Sequence, residues 1–137
     1  MQILVRKRVA EDLPFIFDSW MKSWRINKYA GCIPNHLYFE TQRTLIEDLL
    51  ARGADLLVAY PEGKEDIIIG WVCGEVKEDR TVLHYLYIKD PYLGLGLAER
   101  LIGDLRGIKP GFITHKLPFK ELKSWRHVPE IARRKAL

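Results

Sequence analysis

Cysteine, methionine and long apolar runs are all scarce in this chain. Two cysteines, Cys32 and Cys73, and two methionines stand among 137 residues. No CxxC pair or Cys/His cluster occurs, which excludes a zinc ribbon and a dithiol redox centre, and no metal is expected. Both cysteines read as small reduced core residues. A helical membrane span needs roughly 20 consecutive apolar residues, and no stretch comes near that. The opening "MQILVRKRVAEDLP" carries charge where a signal peptide needs its apolar middle, so a cytoplasmic protein is expected. Internal repeats and low-complexity linkers are also missing, leaving a single domain over residues 1–137. With 47% apolar and 29% charged side chains, that domain can bury one real core without staples.

Acidic residues are sparse in one region. From Lys109 to Leu137 there are eight Lys or Arg against two Glu, a surplus of six in a chain of net charge +4, so the preceding part stands at −2. This basic segment, 109–137, reads as a solvated helix or as a contact for an anionic ligand or a nucleic acid.

What is present is periodicity. "ILVRKRV" (Ile3–Val9) reads as a first strand, and "EDLPFIFDSWMKSW" as a helix with an acidic start and one broad apolar face. "RINKYAGCIPNH" reads as a loop unusually rich in recognition chemistry, and "YFETQRTLIEDLLARG" as a helix ended by Gly53. The period then changes. "DLLVAY", "DIIIGWVCGEV" and "TVLHYLYI" are β-branched-rich runs separated by short turn-forming spacers, the pattern of an antiparallel meander. A helix from about Gly94 to Arg106, a strand "FITHKL" and one or two short helices broken near Pro129 complete the chain. The fold expected is α/β (α+β), a mixed and mostly antiparallel central sheet flanked by helices in the order β-α-α-β-β-β-α-β-(α).

The stretch "LYIKDPYLGLGLAERLI" (Leu86–Ile102) carries the chemistry. Gly94 and Gly96 stand where a helix begins, although glycine costs roughly 1 kcal/mol against alanine inside one. The first turn of a helix leaves unpaired N–H groups at the positive end of its dipole, and glycines let a ligand reach them. Strand, glycine turn and helix together form an anion seat, with close helix–sheet packing as the plainer reading. There is no GK[ST], which excludes a P-loop. Glu99 stands where a dinucleotide fingerprint needs its third glycine.

The stretch resembles the signature of the GNAT superfamily of N-acetyltransferases, [RQ]xxGx[GA], which opens the helix after the fourth strand. Tyr92 falls on the family's usual aromatic, Gly96 on the motif glycine and Ala98 on the final small residue; Leu93 departs from the pattern by occupying the Arg/Gln position. The resemblance covers residues 3 to about 115 by element order. It implies an acetyl-CoA-dependent transfer to a primary amine of a small molecule, protein or modified nucleotide, by direct attack and with no acyl-enzyme. It also implies that acetyl-CoA lies along the backbone of Leu86, Tyr87 and Ile88, with its pyrophosphate on Leu93, Gly94, Leu95, Gly96, Leu97 and Ala98. The family's strand glutamate would fall on Val82. Period-2 alternation sets His84 on the face of Val82, Leu86 and Ile88, opposite Leu83, Tyr85 and Tyr87, so His84 is the expected base and Glu75 the second choice. For the acid, His115, Ser124, Tyr85 and Tyr87 stay open. Trp24, Tyr29, His36 and Tyr38 would line the acceptor site. The alternative is a non-catalytic module of this type that binds CoA, a partner protein or a nucleic acid, as a monomer or a dimer.

Overall fold

β1 (Ile3–Lys7) ends at a corner held by one carboxylate. The Arg6 guanidinium meets both oxygens of Asp12 at 2.7 and 3.1 Å, and Asp12 also accepts the Val9 N–H at 2.8 Å. Burial pushes the Asp12 pKa up, but the Arg6 and Val9 hydrogen bonds outweigh it and hold the value below the ordinary one. This computed structural model describes residues 2–26, 33–105 and 109–133. Tyr29 and Cys32 lie outside the described residues.

The chain turns from that corner into α1 (Leu13–Arg25), with Pro14 in the first turn, where its missing N–H is no loss. Ile16 and Trp20, four apart, are fully buried against the sheet. α2 (Asn35–Ala51) packs beside it through Tyr38, Gln42, Ile46 and Leu49. It begins three residues before the expected start, so His36 is helical rather than in a loop. Gly53, at φ 89°, ends it as foreseen. The Ala54 N–H returns to the Leu49 carbonyl at 3.0 Å and the Gly53 N–H to Leu50 at 3.1 Å. That wrap leaves Arg52 at the helix end, facing the sheet.

The sheet runs in chain order through β1, β2 (Asp55–Pro61), β3 (Gly70–Lys77), β4 (Arg80–Ile88), β5 (Lys109–Ile113) and β6 (Arg126–His127). The first four strands are antiparallel neighbours; β5 runs parallel to β4, and β6 parallel to β5. α3 (Leu97–Asp104) lies between β4 and β5, and α4 (Glu130–Arg133) follows Pro129. The element order expected from the sequence holds, with β6 added; two residues are too few to show alternation. β5 starts earlier than "FITHKL" suggested, and α3 is shorter than expected because Gly94 and Gly96 take left-handed φ values of 78° and 80°. One face of the sheet (Leu56, Val58, Trp71, Cys73, Tyr85) packs against α1 and α2. The other (Val72, Leu83, Leu86, Ile88, Ile113) packs against α3 and the segment around Phe119–Trp125.

A two-residue turn joins β3 to β4, since Lys77 pairs with Arg80. Both turn residues are left-handed, Glu78 at φ 52° and Asp79 at φ 63°. Neither residue suits that region as Asn-Gly does. The double substitution Glu78→Asn with Asp79→Gly is therefore expected to stabilise the protein by roughly 1 kcal/mol. A urea midpoint that fails to rise would count against this turn geometry.

Candidate active site

Strand pairing decides where the main chain is reachable. β5 follows β4 only as far as Leu83, and the last bond runs from the Thr114 N–H to the Leu83 carbonyl at 3.1 Å. Beyond it the two strands part. The Lys89 N–H goes to the Ile69 carbonyl at 2.9 Å, on the side of β3. Alternation then turns the backbone of Tyr87 toward β3 as well, and that of Leu86 and Ile88 toward the gap. Leu86 and Ile88 thus turn their main-chain groups to the gap. Tyr87 does not present its own.

The gap runs up to the glycine entry. A Cβ built on Gly94 or Gly96 would meet nothing within 4 Å, so the backbone there is approachable from outside. Leu93 and Leu95 are exposed, while the side chains of Leu97 and Ala98 are buried under the sheet. The first α-helical bond is from Arg100 N–H to the Gly96 carbonyl, so the amides of Leu97, Ala98 and Glu99 precede it. The Lys89 ammonium lies over the Phe15 ring, 5.1 Å from the centroid.

Strict alternation fails in the middle of β4. Cys73 pairs with Tyr85 and Gly74 with Leu83, leaving His84 as the extra residue of a β-bulge. Its side chain therefore shares the α1–α2 face with Tyr85 and Tyr87. It is not with Leu86 and Ile88, where alternation had set it. The bulge aims His84 at Glu75, the two predicted catalytic groups meeting at 2.9 Å. Two residues that sequence reasoning did not single out complete the cluster. Arg52 reaches Glu75 at 2.5 Å and the Ile131 carbonyl of α4 at 2.8 Å. Thr114 lies 3.0 Å from His84 Nδ1 and 3.0 Å from His115 Nδ1. Gly53, as a helix stop, was the one sequence signal that could have pointed to Arg52.

Burial pushes the Glu75 pKa up, but the hydrogen bond from His84 and the charge of Arg52 bring it below its ordinary value. Burial dominates at His84, whose pKa is lowered from 6.5 despite Glu75. His84 is fully buried, so it cannot itself touch a substrate. The unfolded chain binds the His84 proton more readily than the folded one, so stability falls as pH drops below 6.5. Glu75 adds a further loss below its ordinary carboxylate range. His84→Gln is expected to flatten the stability curve between about pH 6.5 and 5; an unchanged slope in urea titrations would refute the assignment.

Two clefts open near the parted strands. The larger, about 720 Å³, is walled by Trp24, Tyr85, Phe119 and Trp125, with Lys116 and Lys123 at its margin and no carboxylate in its lining. The second, about 490 Å³, is lined by Trp24, Thr114, His115, His127 and Glu130. Trp24 borders both. The Tyr85 hydroxyl lies 2.7 Å from Ser23 Oγ, and burial pushes its pKa up. Tyr87 packs between Phe15 and Trp71 and lines neither cleft. Tyr38 is buried, and its hydroxyl donates to the Met21 carbonyl; it is core, not acceptor wall. His36 is exposed on the first turn of α2, apart from both clefts. Among the described residues no group of side chains could hold a metal, and no helix is long and apolar enough to cross a membrane.

No family model matches the chain, and no curated protein matches it. Solved structures do. The PaiA N-acetyltransferase of Thermoplasma acidophilum, in complex with coenzyme A, is 21% identical at a TM-score of 0.53 over 76% of this chain and 69% of that one. A GNAT family acetyltransferase from Brucella melitensis, in complex with acetyl-CoA, is 18% identical at a TM-score of 0.59, over 88% of this chain and 80% of the other. A GNAT family acetyltransferase from Staphylococcus aureus is 12% identical at 0.53, over 76% of this chain and 63% of its own. At these identities the likeness is one of fold.

Proposed function

We propose that this chain, with its GNAT acetyltransferase fold, is an acetyl-CoA-dependent N-acetyltransferase that acts on a primary amine by direct attack. The observation that carries this reading is the continuity of two open stretches of main chain. Leu86 and Ile88 turn their polar groups into the gap beside β5, and the gap leads to Gly94–Gly96 and the first turn of α3. A pantetheine arm needs amide partners like those of an added strand. A pyrophosphate needs unpaired N–H groups that no Cβ shields. Leu86 and Ile88 would take the first, and the backbone of Gly94 to Ala98 the second. The Leu86 N–H would face the thioester oxygen as charge develops on it. Burial pushes the Cys73 thiol pKa well up, which supports attack by the amine itself over an acyl-cysteine. The protonated Tyr85 hydroxyl, at the cleft wall, would serve the departing thiolate.

The acceptor would enter the larger cleft. Aromatic walls with lysines and no carboxylate suit an amine on a neutral or anionic body better than a polyamine. One observation favours a second reading, a non-catalytic CoA-binding module: the exposed Leu93 offers the phosphates no cationic or amide side chain.

A melting-temperature shift with acetyl-CoA, followed by thiol release with a panel of amines, tests both. Binding with turnover supports the enzyme; binding without it selects the module; no shift at millimolar ligand removes both. Gly96→Val forces a β-branched residue toward φ 80° and is expected to abolish the shift.

A further inference from the structure

Ser23 and Tyr85 meet on the wall of the larger cleft, and their hydroxyl hydrogens can be counted. Ser23 Oγ carries one hydrogen and has two close acceptors, the Ser19 carbonyl at 2.6 Å and the Tyr85 oxygen at 2.7 Å. The Trp20 carbonyl, at 3.3 Å, is too long to compete. With the Ser23 hydrogen on Ser19, Tyr85 must donate its own to Ser23, because two hydroxyl oxygens this close need a hydrogen between them. The phenol then turns only lone pairs toward the cleft. With the Ser23 hydrogen on Tyr85, the phenol hydrogen is released for the cleft. The two arrangements differ by rotation of two hydroxyls, and no heavy atom moves. Neither strands the Ser19 carbonyl, which inside α1 also takes the Ser23 amide hydrogen. The cleft that both hydroxyls border also touches Ile113, the last residue of β5, so it opens where β5 leaves β4.

We propose that Ser23 is a positioning residue for Tyr85, its hydroxyl hydrogen turning from the Ser19 carbonyl to the phenol oxygen as the thiolate leaves. This rests on the acetyl-transfer reading, in which Tyr85 serves the thiolate, and it supplies what lets a buried phenol give up its proton. Burial pushes the Tyr85 pKa up, and the Ser23 hydrogen bond pulls against that rise, because a donor to the oxygen stabilises the phenolate. The step balances. The nitrogen of a neutral amine bonds to the thioester carbon, and the C–S bond breaks. The phenol hydrogen passes to the sulfur, giving the free thiol, while Ser23 donates to the phenolate left behind. The proton shed by the amine nitrogen returns through water in the cleft to Tyr85, and Ser23 turns back to Ser19. One amine and one thioester give one amide and one thiol, and the protein ends with the protons it began with.

A double-variant cycle tests it. Ser23→Ala should lower kcat about 10- to 100-fold, the worth of a hydrogen bond to a charged oxygen, with KM and the acetyl-CoA melting shift unchanged. Ser23→Thr, which keeps the hydroxyl, should restore the rate. Tyr85→Phe keeps the ring stacked on Trp20 and should cost on the order of 100-fold in kcat. In that background Ser23→Ala should cost nothing further, because Ser23 acts only through the phenol. A residue that merely shaped the cleft would cost the same in both backgrounds, and losses that multiply in this way would overturn the proposal. A Ser23→Ala enzyme with native kcat would do so too, as would a Ser23→Thr enzyme as slow as Ser23→Ala. Those outcomes leave the transfer reading standing. A wild type that binds acetyl-CoA but turns over no amine removes the transfer reading itself, and the role of Ser23 with it.

Discussion

Gly111→Ala is expected to unfold the carboxy-terminal half of the sheet. Gly111 lies in β5, and a Cβ there would sit 1.7 Å from the Thr81 carbonyl oxygen, 2.7 Å from its carbon and 3.0 Å from its nitrogen. All three atoms are backbone of the neighbouring strand, so no rotamer change relieves the clash. Either β5 moves off β4, or β4 moves within a sheet whose other edge is paired with β3. The cost should be 3 kcal/mol or more, on the order of the upper end for overpacking, against a total stability of roughly 5–15 kcal/mol for a domain. Separation of β5 would also release Thr114 from Leu83 and dissolve the point where the strands part. The acetyl-CoA melting shift should therefore vanish together with the fall in urea midpoint. A variant with the wild-type midpoint would mean that the Val82–Phe112 register is wrong.

Arg52→Met comes next in size. Its guanidinium closes three elements at once: the end of α2, Glu75 on β3 and the Ile131 carbonyl of α4. The side chains of Arg52 and Glu75 are only 12% and 13% exposed, so removing the cation strands a carboxylate away from water. Breaking such a pair from one side costs about 3–5 kcal/mol; partial exposure puts this one near the lower figure. The distinguishing measurement is the double variant Arg52→Met with Glu75→Gln. Removing both charges takes away the desolvation cost along with the attraction, so the double variant should recover at least half of the single variant's loss in urea midpoint. Strictly additive losses would show that the two residues do not share an ion pair.

Much of the fold was legible in residue order. The 2.0-residue period of the meander, the helical spacing of Ile16 and Trp20, the stop at Gly53 and the entry at Gly94 and Gly96 are local patterns, and each element formed near where its pattern lies. The site was legible in part. Its glycine entry is a run of adjacent residues and could be read directly. His84 and Glu75 could be named by residue type, but not by face: the bulge between Cys73 and Gly74 shifts the register by one residue and carries His84 across the sheet. Tyr38 had the look of a recognition residue and became core, because α2 packs its ring beside α1, where the Met21 carbonyl takes its hydroxyl.

The residue order alone determined which segments are helix or strand, that the sheet is mostly antiparallel, and that a helix opens on glycines with its amides bare, because these follow from backbone preferences and the spacing of apolar side chains. Only the tertiary structure decided that β5 leaves β4 after Leu83. It alone decided that Arg52 at the end of α2, Glu75 on β3, His84 on β4, and Thr114 and His115 just after β5 join in one hydrogen-bonded chain. Such a chain depends on register and on strand separation, which are settled by packing among segments far apart in sequence, and no local preference encodes them.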